Sequence, residues 1–344
     1  SLMTKAAGEL SFDPYPRSAR QFLLSLAQRD WGQHAAQMAE AWHWFEQGYG
    51  NYPTAHIFGY FGPMHDGPAW PLYLIPRRLP LAPTWQIGYP PSGDHIADCV
   101  TNGFTLNEIV TLCRRQTEYC DRALVIFKQM RRHFADQPER LRDLGLATAL
   151  GLQFRSGYHI LRFYQLRERL AEAKSPARKQ RLLEEMRKLV RAEIKVSEEL
   201  LPLAEADSRL GFHSEAEGYK YFPALLRWRI EQLRELLAEE FPQVERQARE
   251  RGLLWPEYVG EGEEGLVYGA TRRAREDTRA HATDDCAGEN TRAHATDDCA
   301  REDTRAHAAW GSTGFQPAPG IAAGSPSAAP TPRPRCDART AMRP

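Results

Sequence analysis

The chain has 344 residues, with 45 Lys+Arg balanced by 45 Asp+Glu and 42% hydrophobic residues; that is enough for one large core or two smaller ones, and too apolar for a wholly disordered or fibrous protein. A formal net charge of zero supplies no long-range field to gather nucleic acid or an anionic membrane, because basic and acidic residues are interleaved along the chain. No apolar run approaches the roughly 20 residues that span a bilayer, and residues 1–10 lack the regions of a signal peptide, so a soluble and by default cytoplasmic chain is expected.

Residues 1–16 form a short N-terminal remnant, and 17–260 are expected to form one helical domain interrupted by an irregular loop at 51–104. Residues 17–29 and 33–47 place Phe22, Leu23 and Leu26, then Met38, Trp42 and Phe45, at helical spacing and predict two packed amphipathic helices. Thr105-Leu-Asn-Glu108 has the form of a capping box, and Ile109, Val110, Cys113, Cys120, Leu124 and Phe127 behind it predict a helix over 105–134. A long helix over 139–173 carries Leu146, Leu150, Phe154, Ile160, Leu161 and Tyr164. Ser175-Pro176 then provides an N-cap and a first-turn proline for a helix over 177–201, with Leu183, Met186, Val190, Ile194 and Leu201 as its buried stripe. Three long helices with short connections imply an antiparallel bundle, onto which two shorter helices (223–239 and 242–251) should pack. The fold class expected is therefore mainly α: an antiparallel helical bundle with one long Pro/Gly/Trp-rich loop region and a disordered C-terminal tail.

Six cysteines are too few for a disulfide scaffold in a chain of this length, and Cys99, Cys113 and Cys120 fit small buried thiols. From residue 272 a polar repeat takes over: residues 275–287 return at 288–300 and again from Arg301, followed by a Pro/Ala-rich end. With alanine as almost its only apolar residue, the repeat cannot offset a backbone ordering cost of roughly 1–2 kcal/mol per residue, so 261–344 should be a disordered tail. Its near-identical copies resemble translated repetitive DNA. Each full unit offers a His, two Asp and a Cys, such as His281, Asp284, Asp285 and Cys286, but neither paired ligands nor a closing fold comes with them, and no metal or other cofactor is expected.

Loops longer than about 12–15 residues inside a compact domain are commonly functional. Residues 51–101 hold too many large apolar side chains to stay solvated. Aromatic faces beside short acids and imidazoles suit sugar rings, which makes Trp70, Trp85, His65, Asp66, Asp94 and His95 candidate sugar contacts. The alternative is that these aromatics face a neighbouring domain and that Asp66 and Asp94 cap turns. A second polar and aromatic segment, 207–223, adds Asp207, Arg209, His213, Tyr219 and Tyr221 as binding candidates. Within it Glu215 and Glu217 are the catalytic candidates, about 6.6 Å apart if extended. That overlaps the roughly 5–5.5 Å and 6.5–9.5 Å separations of retaining and inverting glycosidases. The alternative there is an Asp207–Arg209 salt bridge with aromatics locking the helix ends. His213-Ser-Glu215 matches half of a zinc deaminase signature, but no P-C-x-x-C follows. Phosphate-loop, dinucleotide, nucleophile-elbow and H-E-x-x-H motifs are absent from the sequence.

Ser11-Phe-Asp-Pro14, a helix ending near Arg29-Asp-Trp-Gly32, and a second ending in Tyr49-Gly-Asn-Tyr-Pro53 before a Gly-Pro and aromatic loop together resemble a junction in large bacterial glycoside hydrolases. The likeness is to the passage from the catalytic (β/α)8 barrel into the C-terminal helical region of alpha-glucuronidase and beta-hexosaminidase-like proteins, and it covers residues 10–255. Such enzymes carry their acid and nucleophile on barrel strand ends, and this sequence shows no βαβ series. The resemblance thus implies a non-catalytic accessory portion whose partner is a catalytic barrel or a weakly bound carbohydrate. The alternatives are a helical interaction or oligomerisation module, as a possible homo-oligomer, and a self-contained glycosidase using 207–223.

Overall fold

The computed structural model describes residues 18–54, 67–79, 93–94, 104–213 and 218–260, together with Thr4, Lys5, Ala7, Gly8, Ser11 and Pro63. All of them fall in one compact unit, Ser1–Ala287. The expected tail disorder lies outside the described residues.

Local signals start each helix. The Ser18 side chain accepts from Gln21 N (3.1 Å) and opens α1, Ala19–Trp31. A tight turn at Gly32–His34 leads into α2, Ala35–Tyr49. Both arms of the Thr105/Glu108 capping box form, and α3 runs Leu106–His133. Prolines at the first turn open α4, Pro138–Ala171, and α5, Pro176–Ala206, where a missing N–H has no helical partner to lose. At 1.5 Å rise per residue these three are about 42, 51 and 46 Å long. Their short connections make them antiparallel, with α4 packed on α3 and α5, α2 on α3, and α1 on α2.

The central core joins Ile109, Cys113 and Cys120 of α3, Phe163, Leu166 and Leu170 of α4, and Leu183, Met186 and Val190 of α5. Smaller clusters flank it, one gathering Trp31, Ala35 and Met38 against Phe127 and Phe134, the other Leu152, Leu200, Tyr221 and Leu226. The fold is mainly α. Among the described residues the strands are β1, Phe212–His213, and β2, Gly218–Tyr219, paired antiparallel with Phe212 opposite Tyr219. Cys113 and Cys120 are buried thiols outside any disulfide, as expected, while Cys99 lies outside the described residues; burial pushes the Cys120 thiol up to about 12.

The structure departs from the expectations in four places. Leu146 and Leu150 do not face the core; they are exposed, and Leu144, Ala149 and Leu152 turn inward instead. The helix expected to stop at 201 continues through Pro202 to Ala206, because burial of Leu200 and Ala204 outweighs one missing helical hydrogen bond. The two shorter helices are one continuous run: α6, Pro223–Glu235, passes through a π turn, Leu236–Glu240, into α7, Phe241–Gln247. Pro242 has no N–H to offer the preceding turn and its ring needs room there; the wider π turn just before it relieves both demands. A last short helix, α8, Pro256–Gly260, was not anticipated.

Candidate functional site

Residues 70–79 lie across α4 and the α6–α7 run as a strap without regular secondary structure, and side chains take the place of a sheet in satisfying its backbone. Arg229 Nε donates to Trp70 O, Tyr164 OH to Pro71 O (2.9 Å), and Gln232 exchanges two bonds with Leu72 (2.6 and 3.2 Å). Glu240, in the π turn, accepts from Leu74 N (2.9 Å) and Ile75 N (3.0 Å) and pairs with Arg77 (2.8 Å). Burying peptide groups is tolerable only when each finds such a partner. The strap's own side chains complete the core: Trp70 is 2% exposed, and Leu72 and Leu74 are fully buried.

Asp94 locks the far end. Its carboxylate accepts from Arg77 N (2.7 Å) and Leu79 N (2.6 Å), on either side of Arg78, which sits in the left-handed region at φ 55°. Amides flanking a left-handed residue form a concave anion seat, here filled by a side chain of the same molecule. Behind it stands the fully buried Arg167, which donates to Asp94 Oδ2 (2.7 Å) and to Asp94 O (2.6 Å). Burial on its own would raise the Asp94 pKa; the Arg167 charge and the amide and guanidinium hydrogen bonds outweigh it and hold the carboxyl below the usual range. Arg167 also reaches Glu168 (3.1 Å), whose carboxylate accepts from Tyr258 OH of α8 (2.8 Å). Burial first, and then the Glu168 charge, push the Tyr258 phenol upward.

A second buried cluster centres on Glu193 of α5. Ser156 Oγ donates to Glu193 Oε1 (2.5 Å), His159 Nδ1 to Oε2 (2.8 Å), and Arg229 Nη2 lies 3.5 Å from Oε1. Burial opposes the Glu193 charge; the His159 hydrogen bond and the Arg229 charge prevail and lower its pKa. Ser156 and His159 both point at the carboxylate. The arrangement pins α4, α5 and α6 together, and it is not a nucleophile–base–orienter relay, which needs the hydroxyl on the imidazole.

Among the described residues, three exposed aromatic side chains gather at the hairpin between α5 and α6. Phe212, Tyr219 and Phe222 are 51%, 48% and 42% exposed. Phe212 and Tyr219 meet edge to face at 5.4 Å between centroids, and Tyr219 and Phe222 at 6.4 Å. The hairpin is braced from below: Tyr219 OH donates to Ser208 O (2.9 Å), Lys220 N to Gly211 O (2.7 Å), and Tyr221 is buried. Gly211 is needed at its position, with φ +79° and a built Cβ only 2.2 Å from Tyr221 O.

The sequence-derived candidates therefore separate. Trp70 is inside the core and offers no ring face to a sugar, and Asp94 is the strap's anchor. Asp207 and Arg209 form a bidentate salt bridge (2.6 and 2.8 Å) that closes the end of α5, and the Arg209 hydrogen bonds bring the Asp207 pKa down to about 2. Tyr219 is exposed and Tyr221 is buried, which places them in different environments. His213 is in β1; its side chain lies outside the described residues, as do His65, Asp66, Trp85, His95, Glu215 and Glu217. Sequence reasoning missed Arg167, Glu193 and Arg229, although Glu193 continues the stripe Leu183, Met186, Val190 at spacings of three and four. A charge on a buried stripe was the signal available.

Among the described residues no group of three or more His, Cys, Asp or Glu could hold a metal ion, and no helix is long and apolar enough to cross a membrane. Compared with protein-family models, with curated proteins and with solved structures, the chain matches none.

Proposed function

We propose that the chain is a non-catalytic helical module, an accessory portion of a glycoside-hydrolase-like, carbohydrate-active protein, and that its sugar-facing surface is the aromatic hairpin rather than the tryptophan of the strap. The observation that carries this reading is the trio Phe212, Tyr219 and Phe222, half exposed on a braced turn. Exposed aromatic faces pack well against the C–H faces of sugar rings. Its non-catalytic character is supported by the buried carboxylates Asp94 and Glu193 and the partly buried Glu240, each engaged by backbone or side-chain donors within the fold. Glycoside hydrolysis needs two carboxylates free to face one scissile bond. Affinity electrophoresis through gels containing different polysaccharides tests the binding half: at least one should retard the chain, and Phe212→Ala with Tyr219→Ala should abolish the retardation. A panel of aryl glycosides tests the other half. Turnover lost in Glu215→Gln or Glu217→Gln would overturn the non-catalytic reading and establish the self-contained glycosidase.

A second reading, a protein-interaction or oligomerisation module, is favoured by Leu146 and Leu150, one turn apart on α4 and exposed at 52% and 41%. Light scattering over a range of concentrations, with Leu146→Glu as the control, tests it. A dimer lost in that variant supports this reading, and a monomer throughout counts against self-association.

A further inference from the structure

The three exposed rings of the hairpin do not share a plane. Phe212 stands at 69° to Tyr219, and Tyr219 at 76° to Phe222. A flat surface laid on the face of either phenylalanine therefore meets Tyr219 on its edge. Several contacts hold the rings at these angles. Phe212 and Tyr219 are opposite each other in the β1–β2 pair, and the Tyr219 hydroxyl is tied to Ser208 O at 2.9 Å. Phe222 has an extended backbone (φ −154°, ψ 167°) and precedes Pro223, which keeps it out of the helical region. Edge-to-face contact is also the geometry that the ring quadrupoles favour. Swinging Tyr219 flat would thus cost its hydrogen bond and both of its ring contacts.

Stacking on a sugar needs the aromatic ring parallel to the C–H face of the pyranose, because only then do the two apolar surfaces cover each other. In a crystalline polysaccharide neighbouring sugar faces are held in one plane, so binding through several rings at once needs a coplanar platform. A single solvated chain can rotate about its glycosidic bonds and turn successive sugars to rings of different orientation. We infer that the hairpin binds individual, solvated glycan chains that bend across Phe212, Tyr219 and Phe222, and that it does not adsorb to the face of a crystalline polysaccharide. The inference rests on the sugar-binding reading of the hairpin and adds the physical form of the ligand. The rigid rings lose little freedom on binding, while the glycan must be ordered in a bent shape, a cost that keeps the affinity low.

The test presents the same polymers to the whole chain in two physical forms: cellulose, chitin and starch as crystalline powders, and hydroxyethylcellulose, glycol chitin and amylopectin in solution. Affinity electrophoresis reads the soluble forms, and depletion of the supernatant reads the powders. The expected result is retardation by at least one soluble polymer, lost in Phe212→Ala with Tyr219→Ala, and no more depletion by the powder of that polymer than the double variant shows. Depletion by a powder that the double variant loses would overturn the inference and leave the sugar-binding reading intact. An absence of binding to every preparation would overturn both. Both substituted side chains are about half exposed, so the double variant should keep the fold, which far-ultraviolet circular dichroism checks.

Discussion

Asp94→Ala is the perturbation that the strap makes most informative. It removes the buried one of two carboxylate partners of the fully buried Arg167, and breaking a buried pair by deleting one member costs about 3–5 kcal/mol. It also strands the amides of Arg77 and Leu79, but Arg77 is exposed, so water can reach that end and restore part of the loss. Arg167 keeps its bonds to Glu168 and to Tyr73 O. These residual contacts place the expected cost near the lower end, about 3 kcal/mol. With a urea dependence of about 3 kcal/mol per molar for a domain of this size, the midpoint should fall by about 1 M. Asp94→Asn keeps an acceptor for the amides and loses the charge, so about half that shift is expected. Urea unfolding followed by far-ultraviolet circular dichroism reads both. A change within about 0.5 kcal/mol for Asp94→Ala would show that Arg167 and the strap amides find equivalent partners without it, and the structural role assigned to Asp94 would be refuted.

The same carboxylate gives a pH dependence. Because its folded pKa lies below the unfolded value of about 3.9, unfolding takes up a proton; the stability it supplies is complete above that value and is lost as pH falls through the folded pKa. Acid titration of stability should therefore be flatter in Asp94→Asn, and identical acid limbs would contradict the assignment. Leu183→Ala, at 1% exposure in the central core, should cost about 2–5 kcal/mol by denaturant unfolding, and Ile194→Ala, only partly buried on the same helix, clearly less. Gly48→Ala should destabilise by about 1–3 kcal/mol despite better helix propensity, since the new Cβ would stand 2.7 Å from Cys120 Sγ and 3.1 Å from Gln116 O of α3; a gain in thermal midpoint would show that α2 and α3 can part without loss.

What the sequence made legible was local. The Thr105/Glu108 box and the Ser175-Pro176 pair are short-range chemistry, and the helices they open begin where expected. The stripe from Leu183 to Val190 was equally plain, since a long helix between two neighbours buries residues at regular intervals. The strap was not legible, because its partners are remote: Glu240 is 166 residues from Leu74, and Arg229 is 159 from Trp70. Trp70 and Asp94 thus looked like surface recognition residues when nothing nearby could show that a guanidinium and a helix face would enclose them. Leu146 and Leu150 failed for the opposite reason. Leucine at helical spacing says that a helix has an apolar face without saying whether this fold covers it. In the hairpin, Tyr219 and Tyr221 stand two residues apart in sequence, yet one closes a core cluster and the other lies at the surface, a distinction that only the packing of α5 against α6 decides.

The central functional claim, that ligand recognition belongs to the hairpin and the strap is structural, is tested most directly by amide chemical-shift mapping during titration with oligosaccharides of the polysaccharide that retards the chain in electrophoresis. Binding in the millimolar range, on the order of −4 kcal/mol, should move the resonances of Phe212, Tyr219 and Phe222 in a saturable way and leave those of Trp70, Leu72 and Leu74 in place. Saturable shifts centred on the strap, with the hairpin unmoved, would contradict it.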